Sequence, residues 1–278
     1  MSILLIDNGS KRAAATQQLR QLATALTERT GETVHPVSLQ HADAIDPREL
    51  DGTPAQVFKP FLRTRLEAGE RKFLLLPLFF GVSRALTSFV PDSVRELESE
   101  YGEFEYSLGE VLCPLPQGEP KLVQILHDHA VQTASQHGLP LANLVLVDHG
   151  SPVARVTQVR NHLAAQLRQQ LDASVTLSEA AMERREGPEY DFNGPLLSDW
   201  LEALATEGHE SAIVIMQFLL PGRHAGPGGD VLDICQQVMN KFPGFRVQIT
   251  PLISEHPAFV DLLANRLSSA KSAQRKGA

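Results

Sequence analysis

The chain reads as two α/β domains made by internal duplication, each a four-stranded parallel sheet flanked by helices, and three observations predict this. The phrase Leu4-Leu5-Ile6-Asp7-Asn8-Gly9-Ser10 returns as Leu146-Val147-Asp148-His149-Gly150-Ser151, in each case an apolar run that ends in a polar turn. Near the end of each half, Pro114-Leu115, Pro120, Val123 and Leu126 recur as Pro251-Leu252, Pro257, Val260 and Leu263, at one offset of 137 (114 to 251, 126 to 263) held over thirteen positions. In both halves apolar runs alternate with amphipathic stretches, the pattern left by strands and crossover helices of a parallel sheet. A period of about 140 in a chain of 278 residues divides it into domains over 1–137 and 141–270, jointed at Gly138-Leu139-Pro140.

In the first half, strands are expected near 3–7, 33–39, 72–79 and 108–113, the third being the apolar run Phe73-Leu74-Leu75-Leu76-Pro77-Leu78-Phe79-Phe80. Between the first two, Leu19, Leu22, Ala23 and Leu26 recur at a spacing that makes one buried helical stripe. In the second half, strands near 144–148, 174–181, 211–219 and 246–251 alternate with helices near 153–171, 195–207, 230–241 and 257–269. The first of those helices carries the stripe Val156, Val159, Leu163 and Leu167, and Ser268 to Ala278 reads as a frayed polar tail.

Composition narrows the function. Hydrophobic content of 42% and charged content of 21% describe a soluble globular protein, and no apolar run approaches the roughly 18 residues of a membrane span. The opening Met1-Ser2-Ile3-Leu4 runs straight into a strand, so a cytoplasmic location is expected. A formal charge of −8 argues against general nucleic-acid binding, while a polyanionic small ligand needs arginines gathered locally. The two cysteines, Cys113 and Cys235, lack CxxC spacing and read as buried thiols. Gly226-Pro227-Gly228-Gly229-Asp230 lacks the Lys-Ser/Thr ending of a phosphate-binding loop, so it is expected to be a glycine-rich lid whose Asp230 caps the next helix, with no nucleotide role.

Three groups capable of metal or proton chemistry follow three successive strands of the second half: His149, Glu183 and His224. Loops at the carboxyl ends of parallel strands share one edge of the sheet, where ligands bind, so these side chains can converge. Two imidazoles and a carboxylate suit cobalt, nickel, iron or zinc and leave coordination positions open. Glu183 also fits a solvated charge run, Met182-Glu183-Arg184-Arg185-Glu186, and Glu179 is the alternative acid. His127, His129, His137, His162 and His209 are expected to be surface or hydrogen-bonding residues.

The segments Leu146-Val147-Asp148-His149-Gly150-Ser151, Ala181-Met182-Glu183 with Pro188, and Leu220-Pro221-Gly222-Arg223-His224 leading to Gly229-Asp230-Val231 resemble the sirohydrochlorin chelatases. These are the class II cobaltochelatases and ferrochelatases of cobalamin and siroheme synthesis. The resemblance implies two flavodoxin-like, chelatase-like domains in a monomer with pseudo-twofold symmetry. It also implies metal-handling roles for His149 and His224, with Glu183 as the acidic partner. Two departures stand out: Pro152 follows His-Gly-Ser where the family has Arg, leaving Arg155 as the nearest, and the segment after His224 is longer than in short relatives. In the first half Asn8 replaces the histidine, His41 lies near the position of the acid, and the loop from Gly81 to Pro91 has no histidine, so that half is read as degenerate. Its Arg84, Lys11 and Arg12 are expected to face carboxylates of the macrocycle.

The expected activity is insertion of a divalent metal, Co2+ or Fe2+ with Ni2+ as a further candidate, into a sirohydrochlorin-type tetrapyrrole without ATP. The ion is a substrate. Insertion requires the ion to shed water, the two pyrrole N–H protons to leave, and the macrocycle to bend; His149 and His224 are assigned to holding the ion and accepting protons, with Glu183 as third ligand or base. Arg223, Arg155, Arg184 and Arg185 are expected to meet substrate carboxylates. One alternative is a non-catalytic metal or tetrapyrrole binding protein derived from a chelatase, which would bind without turnover. A zinc-dependent hydrolase on the same three residues is the weaker rival, since no second histidine cluster or nucleophile elbow accompanies them.

Overall fold

All six residues of the first strand, β1 (Ser2–Asp7), are buried, as a parallel strand covered on both faces requires. In the computed structural model, which describes residues 1–277, β1 is followed by α1 (Ala13–Thr30), β2 (Val34–Ser38), α2 (Phe58–Glu67), β3 (Lys72–Pro77), α3 (Val90–Tyr101), β4 (Glu105–Leu108) and α4 (Pro120–His137). The second half repeats the series as β5 (Asn143–Asp148), α5 (Ala154–Arg168), β6 (Thr176–Ala181), α6 (Leu197–Thr206), β7 (Ser211–Met216), α7 (Asp230–Lys241), β8 (Arg246–Ile249) and α8 (Ala258–Gly277). The two sheets run in the orders β2-β1-β3-β4 and β6-β5-β7-β8, and every pairing is parallel. The expected fold class therefore stands: two four-stranded parallel sheets flanked by helices.

The chain forms two compact units that are not its two halves. One contains Met1–Pro114 and the chain from Val260 onward; the other is Leu115–Phe259. The helix after the fourth strand of each repeat is thus exchanged: α4 packs on β7 and α5, while α8 pairs with the first unit through Arg29–Asp261 at 2.9 Å and Arg266–Glu110 at 2.7 Å. Gly138, expected at the joint, is instead the left-handed cap of α4 inside the second unit, with Leu139 buried beside it. The repeat follows strand–helix order, whereas a packing boundary falls where apolar faces find their cover, and these need not coincide.

Two element expectations are corrected. The segment 108–113 is not a strand; β4 ends at Leu108, and Val111, Leu112 and Cys113 are buried because the chain continues alongside the loop after β3, with Leu112 N donating to Phe79 O and Cys113 N to Phe80 O, each at 2.8 Å. Ser268 onward is helical through Gly277 rather than frayed, tied down by Lys271–Glu32 and Gln274–Ser107; Ala278 lies outside the described residues. Among the described residues no helix is long and apolar enough to cross a membrane.

In the second unit one core, from Val145, Val147, Val214 and Met216 to Leu201, Val231 and Cys235, lies between the sheet and α6 and α7. It fixes β5 and β7 as central neighbours. The strand order changes direction between them, which opens a crevice at their carboxyl ends.

Candidate functional site

His149 follows the last residue of β5, and His224 lies on the loop between β7 and α7, so both flank that crevice. Their rings sit edge to face with centroids 4.4 Å apart. Glu183 comes from the loop after β6, and its Oε1 lies 3.3 Å from His149 Nε2. Three side chains far apart in sequence are brought together, all reachable from solvent: 46% exposed for His149, 60% for Glu183 and 27% for His224.

Backbone contacts explain the closeness of His149 and Glu183. Met182 N donates to Asp148 O at 2.8 Å and Glu183 N to His149 O at 3.1 Å, extending the β5–β6 pairing past the strands into the two loops. Gly150 permits this approach, because a Cβ there would lie 1.8 Å from Glu183 O, and its φ of +87° is one that L side chains rarely adopt. Of the two acids left open by the sequence, Glu183 is beside His149, while Glu179 is held by Arg168 at 2.6 Å.

The tautomer of His224 follows from its neighbour. His224 Nδ1 is 2.6 Å from Asp230 Oδ2, so Nδ1–H donates a hydrogen bond to the carboxylate and Nε2 is left free as a lone-pair donor. His149 has an acceptor at each ring nitrogen, Gly150 O 3.0 Å from Nδ1 and Glu183 Oε1 3.3 Å from Nε2. Asp230, expected to cap α7, faces His224 instead. It is the first residue of α7 and makes no cap bond; Gly229 occupies the cap position. The signal was present as an acid six residues after a histidine, but only a folded loop turns it toward the ring. Nor is the loop a loose lid: Gly222 N donates to Ala225 O, Asp230 N to Arg223 O and Val231 N to His224 O.

The three expected ligands do not make a ready-formed cage. Among the described residues no group of three or more His, Cys, Asp or Glu is arranged to hold a metal ion. What the site offers is two adjacent imidazoles, one paired with a carboxylate and the other oriented by one.

The four expected arginines divide. Arg184 is committed to its own loop, with Nη1 bonded to Gly194 O at 3.1 Å and to Asp191 at 3.2 Å. Arg185 lies over the Tyr190 ring, 5.9 Å from its centroid. Arg223 is 77% exposed, 3.8 Å from Asp230, and Arg155 is exposed in the first turn of α5. Both reach solvent, although Arg223 shares the Asp230 carboxylate with His224. Of the histidines set aside, His129 is buried rather than at the surface, and its ring bonds to the Pro251 backbone.

The first unit repeats this architecture with its chemistry removed. Gln40 N donates to Asn8 O at 3.2 Å, and a Cβ on Gly9 would meet Gln40 O at 1.8 Å, the same relation that joins His149, Gly150 and Glu183. The acid's position is therefore held by Gln40, one residue before the expected His41. Neutral amides stand in both places. The third loop holds a short π-helical turn over Ala85–Phe89 in place of an imidazole, with Arg84 exposed before it.

Paired units of this strand order, one bearing coupled imidazoles at its switch point, define a duplicated α/β fold with one chemically equipped half. The chain belongs to the CbiX family, whose model matches residues 2–133 and again residues 143–270. Among solved structures it is similar to SirB from Bacillus subtilis with Fe3+, with a TM-score of 0.72 and 14% identity over 98% of this chain and 96% of that one. It is also similar to the sirohydrochlorin chelatase SirB from Bacillus subtilis subspecies spizizenii in complex with cobalt, with a TM-score of 0.68 and 14% identity over the same shares, 98% and 96%. A third is CbiX, the terminal enzyme for biosynthesis of siroheme in denitrifying bacteria, with a TM-score of 0.61 and 19% identity over 97% and 99%. At these identities the likeness concerns the fold. A search of curated proteins found no match.

Proposed function

We propose that this protein inserts a divalent metal, Co2+ or Fe2+, into a sirohydrochlorin-type tetrapyrrole, serving cobalamin or siroheme synthesis without nucleotide. The observation that carries the reading is the pairing of His149 and His224 with ring centroids 4.4 Å apart and Glu183 3.3 Å from His149. Family membership and the chelatases among its structural neighbours support it.

The chemistry divides among these residues. A neutral imidazole nitrogen can hold the ion while its other positions accept ring nitrogens. His224 Nε2 suits this task because Asp230 fixes the tautomer. Pyrrole protons must leave as the ring nitrogens take the metal, and the Glu183 carboxylate and the adjacent His149 imidazole are the groups that accept them. A donor set this sparse suits an ion that is cargo, since each added protein ligand would have to be released before the macrocycle takes over. Arg223 and Arg155 orient the carboxylates of the substrate.

The test is an insertion assay with sirohydrochlorin and Co2+, Fe2+ or Ni2+ in turn, on the wild type and on His149→Ala, His224→Ala and Asn8→Ala. Both histidine variants are expected to lose turnover while Asn8→Ala keeps it. Equal losses from all three overturn the assignment to the second unit. Binding of metal and macrocycle with no acceleration of insertion makes the protein a carrier.

A further inference from the structure

We infer that Arg160 and Asn193 form a buried clamp that positions the His149–Glu183 pair, and that this clamp is part of what separates the equipped half of the fold from the silent one; the inference rests on the role proposed above for that pair. Arg160 is a guanidinium sealed in the second unit at 1% exposure, and Asn193 is fully buried at 0%. Arg160 Nη1 donates to Asp148 Oδ1 at 2.7 Å and to Ala180 O at 2.9 Å, and Nη2 donates to Asn193 O at 2.6 Å. One side chain thereby ties the end of β5, the end of β6 and the turn before α6.

Asn193 carries the connection into the loop that holds His149. Its Oδ1 accepts from Ser151 N at 2.9 Å and from Thr157 Oγ1 at 3.1 Å, while its Nδ2 donates to Ser151 O at 2.9 Å and Tyr190 O at 3.0 Å. The amide grips both backbone groups of Ser151, so the turn His149-Gly150-Ser151 cannot rotate without breaking two bonds. Asp148 Oδ1, held by Arg160, also accepts from Gly150 N at 3.1 Å. The bonds converge on the backbone around His149, and neither Arg160 nor Asn193 is placed to touch a substrate. They are positioning residues.

The first unit supplies the comparison. Asp7 stands where Asp148 does and is buried likewise; its carboxylate bonds Ser38 and the Gly9 backbone, but its Oδ1 has no hydrogen-bond partner among the described residues. Counting from the shared turn (149 against 8), Arg160 corresponds to Leu19, which is buried at 1% exposure. The bridges Ser38–Val57 and Ala181–Leu196 align the other loop, and three residues before each bridge partner Asn193 corresponds to Pro54. The half with Asn8 and Gln40 in place of His149 and Glu183 has neither clamp residue. A role in folding alone would not predict that the clamp accompanies the imidazole and the acid.

Three clamp variants test this: Asn193→Ala, Arg160→Lys, which keeps charge but loses the fork, and Thr157→Val, which removes one bond to Asn193 at nearly constant volume. Leu167→Ala, a truncation in the core of α5 away from the clamp, is the control for lost stability. Insertion kinetics, Co2+ affinity by calorimetry and melting temperature are measured on each. Asn193→Ala and Arg160→Lys should lower kcat and weaken Co2+ binding by about tenfold or more, the scale of outer-shell losses at metal sites, with KM for the tetrapyrrole little changed. Thr157→Val should move the same way by less, and Leu167→Ala should lower the melting temperature while sparing kcat and affinity. Unchanged kcat and Co2+ affinity in all clamp variants that fold, or equal losses in Leu167→Ala, overturn the inference. If the wild type does not insert metal but binds Co2+ through His149, the affinity measurements still decide the clamp while the proposed reaction falls. If it does neither, both fall.

Discussion

Replacing Gly150 by Ala forces the His149 and Glu183 loops apart, and Gly9→Ala in the first unit is its built-in control. The two glycines have φ of +87° and +88°, and an added Cβ lies 1.8 Å from the facing carbonyl oxygen in each, Glu183 O or Gln40 O. A carbon needs about 3.3 Å from such an oxygen, so each pair of loops must separate by about 1.5 Å. The left-handed backbone adds about 1–2 kcal/mol in either place. Both variants should therefore lose similar stability, at about 2–4 °C of melting temperature per kcal/mol for a domain of 150–250 residues. Only Gly150→Ala should damage function, because it pulls Glu183 away from the 3.3 Å contact with His149. Misplacement of about 1 Å at a reacting centre costs about a hundredfold, so turnover of Gly150→Ala should fall by that order while Gly9→Ala stays near wild type. The assay is insertion of Co2+ into sirohydrochlorin at a temperature where both variants are folded, alongside thermal melting. Equal losses of turnover in the two variants, or an active Gly150→Ala, would refute the reasoning.

Two further outcomes follow from single contacts. Asp230→Asn removes the charge that orients His224 and should weaken Co2+ binding about 10–100-fold, with helix content of α7 retained because Asp230 makes no cap bond; unchanged affinity by calorimetry would show that the 2.6 Å contact is idle. His129 is pushed down to about 4, mainly by burial and then by the neighbouring His256, so the folded protein stays unprotonated there while the unfolded chain takes up a proton below about pH 6.5. Its contribution to stability is present above pH 6.5 and is lost as the pH falls toward 4, at about 1.4 kcal/mol per pH unit. Urea unfolding of His129→Leu between pH 6.5 and 5 should show a flatter dependence than wild type, and parallel curves would contradict it.

The sequence determined what depends on local order. Alternating apolar runs and amphipathic stripes gave the strands and helices, because burial on both faces of a parallel sheet imposes that pattern directly on β1, β3, β5 and β7. The repeat gave the duplication, and the strand-end positions of His149, Glu183 and His224 gave their convergence, since parallel strands bring their carboxyl ends to one edge. Tertiary structure decided what depends on distant partners. The exchange of α4 and α8 between units is a matter of which apolar face each helix covers, and that is not encoded within the helix's own repeat. The commitment of Arg184 to Asp191 and Gly194, the turn of Asp230 toward His224 and the place of Gln40 opposite Asn8 are set by loop geometry over a few ångströms. Arg160 and Asn193 were invisible in sequence for the same reason. A buried guanidinium is read as a surface charge until the carboxylate that neutralises it and the two carbonyls that complete its bonding, drawn from three separate segments of the chain, are seen around it.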